Sequence, residues 1–318
     1  MTLLSAIEDY VSLRRTLGAE FSSAAKMLRA FGRAVGDVSV DTISTDHCTS
    51  FCRGRDSGRR YQWEKHTMLN VFFRYLLGRG HIVSSPLPDP PRREQSDFRP
   101  YIFSHAELQR LLDWIPRLCC NRRWRLEPIT LRTLLLLLYG TGLRVGEALS
   151  LRCCDVDLSK RLLSIWDTKF FKSRLVPIGA ALCDLLATYL AERQRVSLVE
   201  GDHSPFFVFR TGKPVSYASV RAAFAQLRER ADVRRPPRER WRPRIHDLRA
   251  TFAVHRLLAW YREGVDVQAR LPLLATYLGH TSMSGTAYYL TMTPELLRVA
   301  GEHFENYALQ REEKKNEV

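Results

Sequence analysis

No stretch of this sequence is apolar over the roughly 20 residues that a membrane-spanning helix needs. The most apolar run lies around Leu134–Tyr139 and is much shorter. The N-terminus also lacks the basic segment and apolar core of a secretory signal peptide, because Glu8 and Asp9 stand where such a peptide is apolar. We therefore expect a cytoplasmic protein that neither spans nor crosses a membrane.

The sequence has few cysteines, and their spacing fits no cross-linked framework. Seven cysteines are scattered through both halves, and the neighbours Cys119-Cys120 and Cys153-Cys154 suit neither disulfides nor a zinc ribbon. The sequence also has no Walker A phrase and no clustered carboxylates of the kind that hold two metal ions. We expect no bound metal, and we find no motif for ATP.

Acidic residues are in short supply relative to basic ones. Asp and Glu number 34 against 49 Lys and Arg, which gives a formal net charge of +15 and a pI of about 9.8. This surplus favours a polyanionic partner, either nucleic acid or an anionic membrane surface. Electrostatics alone leaves both open. The length of 318 residues and the hydrophobic content of 45% fit about two globular domains.

A proline-rich stretch divides the chain. Four prolines between residues 86 and 91 cannot continue a helix and favour an extended linker. We predict a helical domain over residues 1–85, a linker over 86–100, a second domain over 101–305 and a charged tail over 306–318. Apolar residues at helical spacing predict four helices in the first domain: Leu3–Leu17, Ser22–Val35, Ser44–Cys52 and Gln62–Leu77.

The second domain mixes helices with a short β region. Ser104 and Glu107 form the capping-box pattern that starts a helix. The nearly all-apolar segment Ile129–Tyr139 predicts a core helix. Two short strands are predicted over Leu162–Trp166 and Arg174–Ile178, followed by helical patterns from residue 180 onward.

Four separate patterns carry residues suited to phosphate chemistry. In Gly-Thr-Gly-Leu-Arg144-Val-Gly-Glu147, the glycines follow a helix rather than a strand, which excludes a dinucleotide fingerprint and leaves an Arg–Glu pair at a helix start. The predicted β-hairpin carries three basic side chains that suit phosphate contact, namely Lys169, Lys172 and Arg174. The other two patterns are His246-x-x-Arg249 and the sequence from Leu278-Gly-His280 to Tyr288-Tyr289. Each pattern alone is more often structural.

Upstream of His246 lies a stretch dense in arginine. Prolines at 236, 237 and 243 keep much of this stretch out of helix, which predicts a basic arm or loop that contacts the DNA backbone. The arginines concerned are Arg228, Arg230, Arg234, Arg235, Arg238, Arg240, Arg242 and Arg244.

Taken in order, these patterns resemble the catalytic signature of the tyrosine recombinase (phage integrase) family. That signature reads Arg, Lys, His-x-x-Arg, His or Trp, then Tyr, and it falls here on Arg144, Lys169, His246, Arg249, His280 and Tyr289. The family spacing after Leu-Gly-His favours Tyr289 over Tyr288, and the hairpin position favours Lys169 over Lys172. Ala250 departs from the second histidine that many members carry. The resemblance covers roughly residues 100–305.

The resemblance implies the fold. We expect a mainly α protein with a small antiparallel β-sheet, in which a helical, SAM-like core-binding domain and a mixed α/β catalytic domain form a two-domain, C-shaped clamp.

The resemblance also implies the chemistry. A site-specific recombinase of this kind cleaves and rejoins DNA through a 3′-phosphotyrosine, without ATP, metal or other cofactor. Arg144 and Arg249 would bind the phosphate, with Glu147 holding Arg144, and Lys169 would protonate the leaving 5′-oxygen. His246 and His280 would orient the phosphate and assist deprotonation of Tyr289. Further DNA contacts are expected from Lys172, Arg174, Arg240, Arg242 and Arg244.

The expected partner is double-stranded DNA at specific recombination sites, in a prokaryotic cell where the protein associates with the nucleoid. The resemblance implies a homotetramer, or an assembly with related recombinases, on two DNA sites. The apolar stripe after Tyr289 would dock on a neighbouring protomer or fold back on its own domain; it comprises Leu296, Leu297, Val299 and Phe304. A type IB topoisomerase, a non-catalytic DNA-binding protein and a metal-dependent transposase are the alternative functions.

Overall fold

The chain folds as two compact units, Met1–Asp97 and Phe98–Val318. This division falls inside the range 86–100 expected as a linker. The computed structural model describes residues 1–19, 21–54, 58–92, 98–118, 126–168, 172–195, 201–235, 241–280, 282–291, 295–298 and 301.

The first unit is helical, as the sequence predicts. Its helices are α1 (Leu3–Thr16), α2 (Ser22–Val35), α3 (Thr45–Arg53) and α4 (Arg59–Gly78). Thr2 caps α1, and Ser44 caps α3 by accepting a hydrogen bond from the His47 amide. The apolar stripes meet in a core that includes the edge-to-face pair Phe31 and Phe73. Helix α4 extends beyond the predicted Gln62–Leu77 at both ends.

The second unit combines helices with a small sheet. It comprises α5 (His105–Leu118), α6 (Pro128–Thr141), α7 (Val145–Ser150), β1 (Val156–Asp157), β2 (Leu162–Thr168), β3 (Lys172–Pro177), α8 (Ala180–Gln194), α9 (Tyr217–Arg230), α10 (Asp247–Arg262), α11 (Val267–Leu278), α12 (Ser284–Ala287) and a 3₁₀ helix, Tyr288–Thr291. A shorter 3₁₀ helix lies at Cys153–Asp155, and another lies in the first unit at Val40–Thr42. The mainly α fold with a small antiparallel sheet is therefore confirmed.

Two local predictions in this unit are confirmed. Ser104 Oγ accepts from the Glu107 amide at 3.2 Å while Glu107 Oε2 accepts from the Ser104 amide at 2.8 Å, the reciprocal pair of a capping box. Helix α6 buries Leu131, Leu134 and Leu138 and packs against α8 and α10, which makes it a core helix.

The sheet is antiparallel in the order β1-β2-β3. The sequence did not predict β1, which is only two residues long. In the β2–β3 pair, Leu163 lies opposite Val176 and Ile165 lies opposite Arg174. Because directly opposed residues share a face, Arg174 lies on the face of the buried Leu163 and Ile165, not on the outer face.

None of the helices in the described parts of the chain is long and apolar enough to cross a membrane. In the segment after Tyr289, Leu296 is buried against the α10–α11 core of its own chain, whereas Leu297 is exposed. Val299 and Phe304 lie outside the described residues, as does the tail over 306–318.

Candidate active site

The turn between α6 and α7 places Arg144. Helix α6 ends at Gly142, which adopts a left-handed conformation (φ +63°). A Cβ there would lie 2.6 Å from Phe252 and 2.7 Å from Leu278, so only glycine fits. The glycines thus end a helix, which confirms that they form no dinucleotide fingerprint, and Arg144 becomes the N-cap of α7.

Arg144 is held from two sides. Its Nη1 donates to Glu147 Oε1 at 2.6 Å, and its backbone amide donates to Glu147 Oε2 at 3.0 Å. On the other side, Nη2 donates to the Gly279 carbonyl at 3.1 Å. The side chain keeps 35% of its surface exposed, so the fixed guanidinium remains accessible from solvent. This arrangement orients a cation for an incoming anion.

Arg249 is buried between two helix ends. It lies in the first turn of α10 and donates through Nη1 to the Gly142 carbonyl at 2.6 Å and through Nη2 to the Leu278 carbonyl at 2.7 Å. Carbonyls at helix C-termini lack intrahelical partners and carry partial negative charge, which favours a cation there. Burial, followed by the nearby Arg144, lowers the pKa of Arg249 to about 10, so it stays charged at neutral pH.

His246 is the N-cap of α10, one turn before Arg249. It is exposed to solvent, yet the protein atoms packed round its ring, and then the charges of Arg249 and Arg244, lower its pKa below the usual value. The burial of the ring and the charges of Arg249 and Arg244 therefore favour the neutral form of His246.

His280 follows the C-cap of α11, Gly279, whose φ is +69°. Its Nδ1 lies 2.7 Å from Thr286 Oγ1, and burial followed by the charges of Arg249 and Arg144 lowers its pKa to about 4. Neutral His280 is therefore held in one orientation by a buried threonine on α12. No local pattern in the sequence singled out Thr286, because its role depends on a histidine six residues away.

The two neighbouring tyrosines have different surroundings. Tyr289 is 8% exposed, and its ring centroid lies 6.0 Å from that of His280. Burial raises the pKa of the Tyr289 phenol, while the charge of Arg249 and a hydrogen bond with it oppose this rise. Tyr288 is 46% exposed, and its hydroxyl donates to the Phe98 carbonyl at 3.1 Å. Only Tyr289 therefore packs beside the histidine and arginines.

Part of the basic hairpin lies among the residues that the structure describes. Lys169 lies outside the described residues, and so does the side chain of Lys172, the first residue of β3. Arg174 is described, and it does not lie at an exposed tip: its side chain is 11% exposed and pairs with Glu147 at 2.8 Å. The expectation of a direct DNA contact from Arg174 does not fit this geometry, because its register with Ile165 turns it inward.

The described arginines of the dense stretch before His246 have different surroundings. Arg228 is buried in α9 and donates to the Pro243 carbonyl at 2.8 Å, so it serves the fold. Arg244 pairs with the buried Asp247 at 2.9 Å and lies over the Phe98 ring. Arg242 is 80% exposed and suits an external anion. Arg240 lies outside the described residues.

Together, Arg144, Arg249, His280 and Tyr289 form one site at the ends of α6 and α11, with Glu147 and Arg174 behind it. Within the described ranges, no group of three or more His, Cys, Asp and Glu side chains could hold a metal ion.

Residues 102–295 match the model of the phage integrase family. The chain belongs to this family of tyrosine recombinases. A putative integrase/recombinase of Sinorhizobium fredii, y4rE, is 37% identical over 310 residues, which covers 93% of this chain and 94% of the relative. The tyrosine recombinase XerC of Lacticaseibacillus casei is 28% identical over 92% of this chain and 95% of its own length.

Solved structures of phage integrases and related enzymes share the fold. A transposon integrase, that of Tn1549 in complex with transposon right end DNA, superposes with a TM-score of 0.66 at 14% identity, over 97% of this chain and 100% of that one. A lambda integrase dimer bound to a core site gives a TM-score of 0.63 at 17% identity, over 92% and 97% of the two chains.

Proposed function

We propose that this tyrosine recombinase cleaves and rejoins DNA at specific sites through a covalent bond between Tyr289 and a 3′-phosphate. The observation that carries the proposal is the meeting of Arg144, Arg249, His280 and Tyr289, which are separated by up to 145 residues in the chain. A buried tyrosine beside two arginines and a neutral histidine suits phosphoryl transfer to a phenol, because the arginines can stabilise the charge that develops on the phosphate.

The first step attaches the enzyme to DNA. The Tyr289 oxygen attacks phosphorus, the bond from phosphorus to the 5′-oxygen breaks, and the phenol proton passes to a base. We propose that His246 and His280 assist the removal of that proton and orient the phosphate, with Thr286 holding the His280 ring. His246, at the same helix start as Arg249, would hold the phosphate.

Arg144 and Arg249 would bind the non-bridging oxygens and neutralise the charge that develops in the transition state. Their fixed positions limit reorganisation during the reaction. Loss of one such contact costs roughly 3 kcal/mol, or about a hundredfold or more in rate.

Lys169 is proposed to protonate the departing 5′-oxygen, an assignment that rests on the resemblance. A free 5′-hydroxyl of a second strand then attacks the phosphotyrosine, which restores the tyrosine and the phosphodiester. Because the covalent bond conserves the phosphodiester energy, the cycle as proposed uses neither ATP nor a metal ion.

We propose that the enzyme acts on double-stranded DNA as a tetramer that joins two sites, either alone or with related recombinases. Two observations support this. A lambda integrase with the same fold has been solved as a tetramer bound to a Holliday junction, with a TM-score of 0.61 over 89% of this chain and 78% of that one. The net charge of +15 also suits a DNA partner.

A covalent trapping assay tests the chemistry and the nucleophile together. Labelled nicked duplexes from the DNA flanking the gene are incubated in EDTA with wild-type protein, Tyr288→Phe or Tyr289→Phe, and resolved on denaturing gels. We expect an SDS-stable adduct with the wild type and Tyr288→Phe, and none with Tyr289→Phe.

The other outcomes discriminate among the alternatives. An adduct that depends on Tyr288 would move the nucleophile by one residue. Cleavage only when metal is supplied would indicate a metal-dependent transposase, and DNA binding without any adduct would indicate a non-catalytic protein. Relaxation of a supercoiled plasmid lacking a recombination site would indicate a type IB topoisomerase.

A further inference from the structure

Arg174 is the most extensively bound arginine near the site, although it faces away from solvent. Its Nη2 and Nη1 donate to Glu147 Oε2 and Oε1 at 2.8 and 3.2 Å, and its Nε donates to the Tyr277 carbonyl at 3.0 Å. Three of its five N–H groups are thus used within the protein. Strand β3 is thereby tied to α7 and to the last turn of α11.

Glu147 lies between two guanidinium groups. Each of its oxygens accepts one hydrogen bond from the Arg174 guanidinium. Oε1 also accepts from the Arg144 guanidinium, and Oε2 also accepts from the Arg144 backbone amide. Burial by itself would raise the pKa of this carboxyl, but hydrogen bonds from Arg174 and from the Arg144 amide outweigh it and lower the pKa to about 2. Glu147 is therefore a carboxylate whose orientation depends on both arginines.

Gly279 shows how closely Arg174 approaches the site. A Cβ at Gly279 would lie 2.7 Å from Arg174 Nη1, and the glycine has a φ of +69°. The carbonyl of the same glycine accepts from Arg144 Nη2. The glycine between Leu278 and His280 therefore leaves space for Arg174 while its carbonyl holds Arg144.

We propose that Arg174 is a positioning residue for DNA cleavage: it fixes the Glu147 carboxylate and the end of α11, and through them the guanidinium of Arg144. The proposal rests on the function proposed above. It replaces a DNA contact for Arg174 with a role exerted through Arg144, the residue that would touch the phosphate.

The first test separates the rate of cleavage from DNA binding. We expect Arg174→Ala to slow single-turnover adduct formation by about tenfold to a hundredfold, less than the loss expected for a direct phosphate contact, with DNA affinity changed less than about threefold. Arg174→Lys keeps the charge but cannot form the paired bonds to Glu147, so it should also be slow. The matched control is Arg195→Ala, which removes an exposed Arg–Glu pair and should react at the wild-type rate.

A second substrate distinguishes positioning from a general loss of structure. A methylphosphonate at the cleavage position replaces one charged oxygen, so it reduces the need for Arg144. If Arg174 acts through Arg144, the defects of Arg174→Lys and Arg144→Ala should both shrink on this substrate. A defect of the same size on both substrates, or a loss of DNA affinity with an unchanged rate, would overturn the proposal.

A third measurement does not depend on any reaction. Crystal structures of wild type and Arg174→Lys should show the Glu147 carboxylate and the Arg144 guanidinium displaced in the variant. Unchanged positions would refute the inference even if the enzyme is a recombinase. If the two side chains are displaced in the variant but the wild-type protein forms no adduct, the proposed function is refuted while the positioning contact of Arg174 stands.

Discussion

At the scale of single residues, the site depends on side chains that hold other side chains. Thr286 holds His280, and Glu147 together with the Gly279 carbonyl holds Arg144. In a neutral histidine either ring nitrogen can carry the proton, and the hydrogen bond made by one nitrogen determines whether the other is a donor or an acceptor. Thr286 is fully buried, so its hydroxyl has little freedom to serve another group.

This leads to a prediction for Thr286→Val, which keeps the shape of the side chain but removes the hydroxyl. We expect adduct formation to slow by about fivefold, the equivalent of one hydrogen bond of about 1 kcal/mol. Single-turnover kinetics would measure the rate. Thr276→Val is the control, because its hydroxyl bonds only to the Pro272 carbonyl on the surface of α11. Equal rates for the two variants would show that His280 needs no such partner.

At the scale of elements, helix ends build the site. The carbonyls of Gly142, Leu278 and Gly279 come from the C-termini of α6 and α11 and accept from Arg249 and Arg144. Both helices end in glycine with a positive φ, which turns the chain and leaves these carbonyls for the arginines.

A pair of glycine variants tests this role. Gly142→Ala places a Cβ within 2.7 Å of two core side chains at a φ of +63°, so we expect destabilisation of about 1–3 kcal/mol and a slower adduct rate. Gly146→Ala lies within α7 with no atom within 4 Å of the new Cβ, so we expect a gain of roughly 0.5–1 kcal/mol. Thermal melts and single-turnover rates of both variants would measure these effects. A melting temperature unchanged by Gly142→Ala would contradict the account of this turn.

At the scale of the whole molecule, charge governs the encounter with DNA. The surplus of +15 predicts an affinity that falls steeply with salt, because each phosphate contact releases condensed counterions. Not every arginine is expected to contribute to this salt dependence. Arg174 pairs with Glu147 and Arg228 donates to the Pro243 carbonyl, so both guanidinium groups have partners within the protein.

Salt titrations can tell the two kinds of arginine apart. Arg242→Ala should reduce the slope of log K against log salt by roughly one contact's share, about 0.9, because its side chain is 80% exposed. Arg174→Ala removes a charge but should leave the slope unchanged, because the Arg174 guanidinium pairs with Glu147 and not with a phosphate. Fluorescence anisotropy with a fixed duplex, at several salt concentrations, would measure both slopes. A smaller slope for the Arg174 variant and an unchanged slope for Arg242→Ala would indicate that Arg174 contacts DNA and that Arg242 does not.

The sequence alone predicted the four helices of the first unit, the core helix α6, helical patterns from residue 180 onward, two strands of the sheet and the order of the candidate residues. Apolar periodicity predicted α1, α2 and α6, and Ser104 with Glu107 predicted the start of α5, because these signals act within a few residues along the chain. The preference for Tyr289 over Tyr288 came from the resemblance to the family, whose spacing after Leu-Gly-His falls on Tyr289.

Only the tertiary structure decided which residues meet and which way they face. Arg174 looked like an exposed hairpin cation until its register opposite Ile165 placed it against Glu147. Thr286 and Gly279 gained their roles only when α11 and α12 brought them beside His280 and the arginines. Contacts between residues far apart in sequence depend on packing of whole elements, and no local pattern encodes that packing.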